Sequence, residues 1–383
     1  MKIKSLLLAA TCALLALSSC HHRYEVEAPE GEYVPDATGG NGMLGFYILN
    51  QGNIGSNKCT LDYFDYASKS YYRNIYAIKN PNAILELGDT GNDMKIFGTL
   101  LFITLNGSHK VEMLDAYTAE RVGQIDVSSP RYLACDGQYV YVSSYVGGED
   151  GRGTVRRIDP GTLSVTGTCE VGYQPEEMVI TDGKLYVANS VNLTTNEYDN
   201  TISVIKLDSF TKVAEIEVAI NMNHMKIDEF DNIWVTSRGN YYDVPASLVM
   251  LSKQDGEYAV AKTYDMPASN IAMRKTWLYS YQVTYDANWN ATNTFTVGTI
   301  NSKGFTDTPT NFLNGSIASE IESPYCIDVQ PNDGTVFITD AKNYVSSGKL
   351  YCFSSKGDLQ WQINTGDIPC CLAFLPALYT NPW

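Results

Sequence analysis

Short apolar runs separated by turn residues dominate the chain from Leu44 onward. The clearest example is a pair of apolar runs, Met178 to Thr181 and Leu185 to Asn189. Between them stands Asp182-Gly183, a dipeptide typical of a tight turn joining two antiparallel strands. No segment after Leu44 has the length and spacing of an amphipathic helix. The pattern therefore predicts an all-β protein built from short hairpins.

The hairpin recurs at a regular interval. Aligning the other apolar runs on Met178 gives spacings of 39 to 56 residues between equivalent positions, which are Met94, Leu133, Met225, Ile271, Ile327 and Leu372. The interval that begins at Met178 contains four strand patterns, of which the last two are Thr201 to Leu207 and Val213 to Val218. This period, with about four strands in each unit, is typical of a β-propeller.

The two ends of the repeat are offset. Residues 46–78 supply three strands with no innermost strand before them, whereas Ile368 to Phe374 supplies an innermost strand with nothing after it. Joining the two completes a blade and covers the sheet edges that an open array would expose. We therefore predict a seven-bladed β-propeller over residues 44–383, with the first blade closed by the C-terminal strand. Two stacked β-sandwiches are the alternative, but they would not explain the offset.

The N-terminal residues precede the propeller pattern. Lys2 and Lys4 are followed by an apolar segment, Leu6 to Leu17, that is too short to span a bilayer, which predicts a signal peptide over residues 1–19. The end of this segment, Leu-Ser-Ser-Cys, resembles the lipobox of bacterial lipoproteins. That resemblance implies lipidation of Cys20 and membrane attachment through lipid alone. An ordinary signal peptide followed by a chance cysteine is the alternative.

Residues 20–43 are rich in Glu, Pro and Gly and poor in apolar side chains, which predicts a flexible tether. An acidic segment close behind a lipidated cysteine resembles the surface-export signal of lipoproteins in gut anaerobes. The N-terminal region therefore predicts a protein anchored by lipid to the outer membrane and exposed at the cell surface.

The loops predicted between the second and third strands of most blades are long and rich in Asn, Gly and aromatic residues. Such loops share one face of a propeller with the connections between blades, and loops on a rigid scaffold often carry binding residues. Aromatic rings and amides suit a large neutral or amide-bearing ligand. Ordinary hydrophilic loops are the alternative. The predicted ligand-binding residues are Gln51, Asn92, Asp93, Arg131, Tyr132, Tyr145, Tyr173, Glu176, Tyr198, Asn223, His224, Arg238, Tyr242, Trp289, Tyr325 and Tyr344.

Composition and motifs exclude several classes of function. The net charge of −16 argues against nucleic acid as a partner, because phosphates are neutralised by Lys and Arg. The chain lacks G-x-S-x-G, H-E-x-x-H, a glycine-rich phosphate loop and C-x-x-C. Glu176 and Glu177 are neighbours, so their side chains are expected to diverge rather than form an acid–base pair. We therefore expect no catalytic residues, no cofactor, no metal and no enzymatic activity.

Two sequence features resemble YncE-like seven-bladed propellers. They are the motif Val171-Gly172-x-x-Pro175 and the strand Lys184 to Ser190. The opening Tyr47 to Ser56, followed by Leu61 to Asp65, is similar to a lipoprotein branch of that group that includes the BtuG family of surface cobalamin-binding proteins. The resemblance runs from Leu44 to the end of the chain.

The BtuG resemblance implies high-affinity capture of cobalamin (vitamin B12) or a related corrinoid as a transported ligand. It also implies a partner, an outer-membrane TonB-dependent transporter of the BtuB type. Two other functions stay open. One is a surface glycan-binding protein of a polysaccharide-uptake system, with Trp289 and tyrosines stacking on sugars. The other is a propeller lyase or hydrolase.

Overall fold

The computed structural model describes residues 31–377, except residues 84–85, 286–287 and 289–290. Regular structure in these residues is nearly all β, with one short α-helix, Ile75–Lys79, and two 3-10 turns, Glu149–Gly151 and Ile317–Ser319. No helix in this part of the chain is long and apolar enough to cross a membrane. The predicted signal peptide, Cys20 and the tether up to residue 30 lie outside the described residues.

Seven antiparallel sheets form the blades of a β-propeller, which confirms the predicted fold. The first strand of each of blades 2–7 lies innermost and contacts the innermost strands of the neighbouring blades. Blades 2, 3 and 4 consist of Gly91–Phe97, Leu100–Leu105, Lys110–Asp115 and Arg121–Asp126; of Pro130–Cys135, Val140–Ser144, Thr154–Asp159 and Ser164–Glu170; and of Met178–Thr181, Lys184–Ala188, Thr201–Lys206 and Thr211–Glu217.

The remaining complete units follow the same plan. Blades 5, 6 and 7 consist of Met222–Ile227, Ile233–Ser237, Ser247–Gln254 and Glu257–Tyr264; of Asn270–Arg274, Trp277–Tyr285 and Ala291–Asn301 with the short strands Gly304–Phe305 and Thr310–Asn311; and of Pro324–Val329, Val336–Asp340, Ser347–Phe353 and Leu359–Asp367. A small separate hairpin, Val191–Asn192 with Glu197–Tyr198, projects from the long loop of blade 4.

Blade 1 joins the two ends of the described chain, as the offset predicted. The C-terminal strand Pro369–Pro376 pairs with Met43–Asn50, with Leu372 opposite Ile48. Thr60–Asp65 and Ser70–Tyr72 complete the blade on its outer side. The innermost strand Pro369–Pro376 also contacts those of blades 2 and 7, so that the ring is closed.

The hairpin of blade 4 forms in the predicted register. Met178 pairs with Val187 and Thr181 pairs with Lys184, which leaves Asp182 and Gly183 as the turn. Both turn residues have positive φ, 51° and 68°. Asp and Gly tolerate this conformation better than other residues do, and it matches the twist of the flanking strands.

Aromatic side chains fill the space between blades. Phe46 of blade 1 lies 4.8 Å from Phe337 of blade 7, and Phe64 stacks on Trp361 at 5.3 Å, measured between ring centroids. Burial of each such ring contributes about 1.5–3 kcal/mol to folding. The packing fixes neighbouring blades against each other and so holds the loops at the axis in place.

The predicted tether is too long, because its described part packs on the propeller. Glu32–Tyr33 adds an outer strand to blade 1 by pairing with Tyr71 and Ser70. Val34 and Ala37 are buried in the same apolar cluster as Phe46. This packing has two causes. The edge strand Ser70–Tyr72 has unpaired backbone groups that Glu32–Tyr33 can bond, and the side chains of Val34 and Ala37 cover the apolar cluster. The folded unit thus begins before the predicted boundary at residue 44.

Candidate functional site

A polar cavity of about 350 Å³ lies where the innermost strands converge. Every blade contributes to its wall, through Gln51, Asn92, Arg131, Glu177, Asn223, Asn270 and Tyr325 in blade order. The strand period explains this wall. In blades 2 and 5, Met94 and Met225 are buried in the apolar core, so their neighbours Asp93, Lys95, His224 and Lys226 face the cavity.

An ionic cluster around Glu176 forms at one side of the cavity. The Arg131 guanidinium donates to Glu176 Oε2 from Nη2 at 2.9 Å and from Nε at 3.3 Å. The Tyr145 hydroxyl donates to Oε1 at 2.8 Å, and Arg238 Nη1 lies 3.6 Å from the same oxygen. Burial alone would raise the pKa of Glu176, but the two arginines outweigh it and hold the pKa below its usual value. Glu176 is therefore ionised.

Stacking further restrains Arg131. Its guanidinium carbon lies 4.7 Å from the ring centroid of Tyr145 and 5.4 Å from that of Tyr132. The Tyr132 hydroxyl in turn donates to Asn223 Oδ1 at 3.4 Å. These contacts connect blades 3, 4 and 5 and fix the orientation of groups that a ligand would meet.

Glu177 has separate partners, so the prediction that the two glutamates diverge is confirmed. His224 Nδ1 lies 3.1 Å from Glu177 Oε2, the Met225 amide donates to that oxygen at 3.1 Å, and Lys226 pairs with Oε1. Burial would raise the pKa of Glu177, but Lys226 and His224 hold it well below its usual range. Burial lowers the pKa of His224, so the ring is neutral near pH 7. With Nδ1–H donating to Glu177, Nε2 is an acceptor.

Two further carboxyls line the cavity. Asp93 accepts from the Leu133 amide at 2.9 Å, and Asp328 accepts from the Val329 amide at 2.8 Å. Burial raises the pKa of both. Lys95 stands beside Asp93, which raises the pKa of the lysine. Within the described residues, no group of three His, Cys, Asp or Glu side chains is arranged to hold a metal ion.

Phenols and amides form the opposite wall. The Tyr325 hydroxyl donates to Gln51 Oε1 at 2.7 Å, and the Tyr281 hydroxyl donates to the Tyr325 carbonyl at 2.8 Å. Burial raises the pKa of Tyr325 to about 12, so the phenol stays neutral. Tyr344 meets the Tyr325 ring edge-on at 6.0 Å and is 43% exposed. This wall offers neutral donors and acceptors next to an aromatic surface.

A second space, which we name the tyrosine groove, adjoins the cavity. It has a volume of about 450 Å³ and is lined by Tyr241, Tyr242, Val244 and Tyr285 among others. It shares three residues with the central cavity, namely Arg238, Ser269 and Val283. Tyr242 is 94% exposed and Tyr241 is 76% exposed. We call the face of the propeller that carries the long loops the loop face. It combines a polar cavity with an exposed aromatic surface at the edge of that cavity.

The structure brings ten of the predicted site residues into the cavity wall: Gln51, Asn92, Asp93, Arg131, Tyr132, Asn223, His224, Arg238, Tyr325 and Tyr344. Tyr145 and Glu176 support Arg131, as described above. Tyr242 lies in the tyrosine groove. Tyr173 and Tyr198 lie in a separate pocket of about 270 Å³, where Arg152 stacks on Tyr173 at 4.9 Å. Trp289 lies outside the described residues.

Several lining residues were not predicted, although the repeat contains a signal for them. Each aligned apolar position has two neighbours in sequence, and in blades 2, 5 and 7 the residue after it is charged. These residues are Lys95, Lys226 and Asp328. In a strand, residues on both sides of a buried position face the same way. Applying this rule to every blade would also have found Glu177 and Asn270.

Solved structures with a similar fold come from several bacteria. A provisionally assigned 6-phosphogluconolactonase from Bacteroides uniformis has a TM-score of 0.58 and 12% identity, covering 86% of this chain and 99% of its own. A similarly assigned protein from Bacteroides fragilis has a TM-score of 0.56 and 13% identity, covering 86% and 98%. A quinonprotein alcohol dehydrogenase-like protein from Bacteroides thetaiotaomicron has a TM-score of 0.53 and 14% identity, covering 87% and 79%.

At these identities the likeness shows the fold alone. No family model and no curated protein matches the chain. The function must therefore be argued from the site.

Proposed function

We propose that this protein is a binding protein that captures cobalamin or a related corrinoid on its loop face, over the central cavity. The observation that carries the proposal is the convergence of polar side chains from all seven blades on one cavity, with amides, phenols or guanidinium groups from every blade except blade 4, which contributes the carboxylate of Glu177. A corrinoid has a broad apolar ring edge bearing many peripheral amides. Asn, Gln and Tyr side chains supply both donors and acceptors for such amides.

The size of the site favours a ligand that lies across the face. A corrinoid is much larger than the 350 Å³ cavity, so only part of it could enter. The tyrosine groove continues the binding surface beyond Arg238 and offers exposed rings for an apolar ligand edge. Polar groups of the ligand would meet the cavity wall, while its ring system would rest on tyrosines.

Preorganisation supports high affinity. Arg131, Tyr325 and Gln51 are held by the contacts described above, and their strands belong to a closed ring. Side chains that are already ordered lose little entropy when a ligand binds. Capture of the ligand requires no catalytic step.

Delivery of the ligand is the second part of the proposal. Lipidation of Cys20 would anchor the protein at the outer membrane, and a TonB-dependent transporter would receive the corrinoid. The support is the resemblance of Leu-Ser-Ser-Cys to a lipobox and the resemblance of the opening sequence to the BtuG family. The test is co-purification of a BtuB-type transporter with the lipidated protein, using a Cys20→Ser variant as the control for anchoring.

Glycan binding is the second candidate, because Tyr241, Tyr242 and Tyr285 expose aromatic surface beside the cavity. Sugar rings stack on such surfaces. Calorimetric titration of the chain from residue 21 with cyanocobalamin and with an oligosaccharide panel separates the two candidates. Tight stoichiometric binding of cyanocobalamin supports the corrinoid proposal. If the protein binds oligosaccharides and does not bind cyanocobalamin, glycan binding replaces corrinoid capture as the proposed function.

A further inference from the structure

Arg238 stands where the central cavity and the tyrosine groove meet. Its side chain lines both spaces and is 33% exposed. It follows directly after Ile233–Ser237, the second strand of blade 5, so a rigid strand fixes its position. A ligand that occupied both spaces would pass this guanidinium.

The charge of Arg238 is only partly compensated. Its ion-pair partner is Glu176, whose Oε1 lies 3.6 Å away, beyond the usual hydrogen-bond distance. The same carboxylate accepts from Arg131 twice and from Tyr145. One carboxylate thus serves two guanidinium groups, and one positive charge of the cluster is left without a matching anion.

The two arginines differ in their freedom to meet a ligand. Arg131 contacts two tyrosine rings, makes two hydrogen bonds to Glu176 and exposes 18% of its side chain. Arg238 has the longer contact and the greater exposure. A guanidinium presents a planar fork of N–H donors that matches the oxygens of a phosphate group. Arg238 is therefore the group in this cluster that can receive an anion.

We infer that Arg238 binds a phosphodiester group of the ligand at the junction of the cavity and the tyrosine groove. The inference rests on the proposed function and deepens it. The nucleotide loop of cobalamin contains a phosphodiester, whereas cobinamide has the same corrin ring and lacks that loop. Recognition by Arg238 would therefore make the site selective for the complete cobalamin over cobinamide.

The test compares two ligands on two proteins. Cyanocobalamin and dicyanocobinamide are titrated calorimetrically into the chain from residue 21 and into its Arg238→Gln variant. Loss of a charge-assisted bond to phosphate should weaken cyanocobalamin binding by about 10- to 100-fold. Dicyanocobinamide binding should be unchanged. Equal weakening of both ligands, or no change in either, would overturn the inference.

Two controls make the result specific. Arg152→Gln removes a guanidinium that stacks on Tyr173 in the separate pocket, and it should alter neither titration. If neither corrinoid binds the unaltered chain, the proposed function fails, and the anion site is then tested with phenyl phosphate. Calorimetric binding of phenyl phosphate by the unaltered chain that is lost in the Arg238→Gln variant would support the anion site. No response, or the same response in both proteins, would refute it.

Discussion

The Tyr325 hydroxyl donates to Gln51 Oε1 at 2.7 Å across 274 residues of sequence. Gln51 directly follows the strand Met43–Asn50 of blade 1, and Tyr325 lies in the innermost strand of blade 7. The bond therefore crosses the junction where the C-terminal strand closes the ring. The same hydrogen bond therefore joins blades 1 and 7 and fixes two side chains of the cavity wall.

Removal of this hydroxyl should weaken the wall. We expect Tyr325→Phe to lower the free energy of unfolding by about 0.5–1.5 kcal/mol, because the Gln51 oxygen loses its donor. Chemical denaturation measures the change. Tyr33→Phe is the matched control, since Tyr33 is 62% exposed on the outer strand, and it should have no effect. Equal stability of the two variants would contradict the importance of the bond.

Deletion of the closing strand should have a much larger effect. A chain that ends after Gly366 lacks Pro369–Pro376 and exposes the edge of Met43–Asn50. We expect this shorter chain to aggregate and to show no single cooperative transition on heating. Circular dichroism measures the thermal transition. A chain that ends after Ala377 keeps every described strand and should unfold as the full chain does. A cooperative transition in the shorter chain would show that closure is dispensable.

The Glu176 cluster should contribute to stability as a buried ion pair. Glu176 is 2% exposed, and its removal leaves Arg131 without its partner. We expect Glu176→Ala to cost about 3–5 kcal/mol of unfolding free energy. The control is Glu257→Ala, which breaks an exposed pair with Lys184 and should cost at most about 1 kcal/mol. Similar costs for both variants would contradict the arrangement described for Arg131.

The carboxyls of the cavity should give opposite pH dependences. The pKa of Glu177 is lowered in the folded protein, so its stabilisation is present above the usual value of 4.5 and is lost as the pH falls. The pKa of Asp328 is raised, so its contribution is present below 3.8 and is lost as the pH rises towards the folded-state pKa.

Variants isolate the two effects. Relative to the unaltered chain, Glu177→Gln should be most destabilised at neutral pH and less so in acid. For Asp328→Asn, the free energy of unfolding minus that of the unaltered chain should be more favourable at neutral pH than in acid. Urea denaturation across this pH range measures both. Asp36→Asn, at an exposed position, is the control. The same sign of pH dependence for both variants would contradict the assigned environments.

The cysteines of the described residues should be unreactive thiols. All seven are free, and burial raises the pKa of Cys59, Cys326 and Cys371 and raises that of Cys135 to about 12. The thiolate is the nucleophile, so reaction with a thiol-specific disulfide reagent should be slow in the folded protein and fast after unfolding. Rapid reaction of the native protein, or fewer than seven thiols after unfolding of the chain from residue 21 without reductant, would contradict this assignment.

Much of the fold can be predicted from the sequence because each repeat unit is specified by residues that are close together in the chain. Asp182-Gly183 determines a turn by its own backbone preference, and the hairpin forms in the predicted register. The charged neighbours Lys95 and Lys226 could also be derived from strand alternation. The bond from Tyr325 to Gln51 could not, because its partners meet only after the ring closes. Burial of Val34 likewise depends on a cluster assembled from blades 1 and 7.

X-ray diffraction at the cobalt absorption edge, from crystals grown with cyanocobalamin, tests the proposed site most directly. We predict an anomalous peak from a bound cobalt on the loop face, over the central cavity or the adjoining tyrosine groove, both of which Arg238 borders. A peak elsewhere on the propeller would contradict the proposed site. Absence of any peak, in crystals of a protein that also shows no calorimetric binding, would contradict corrinoid capture itself.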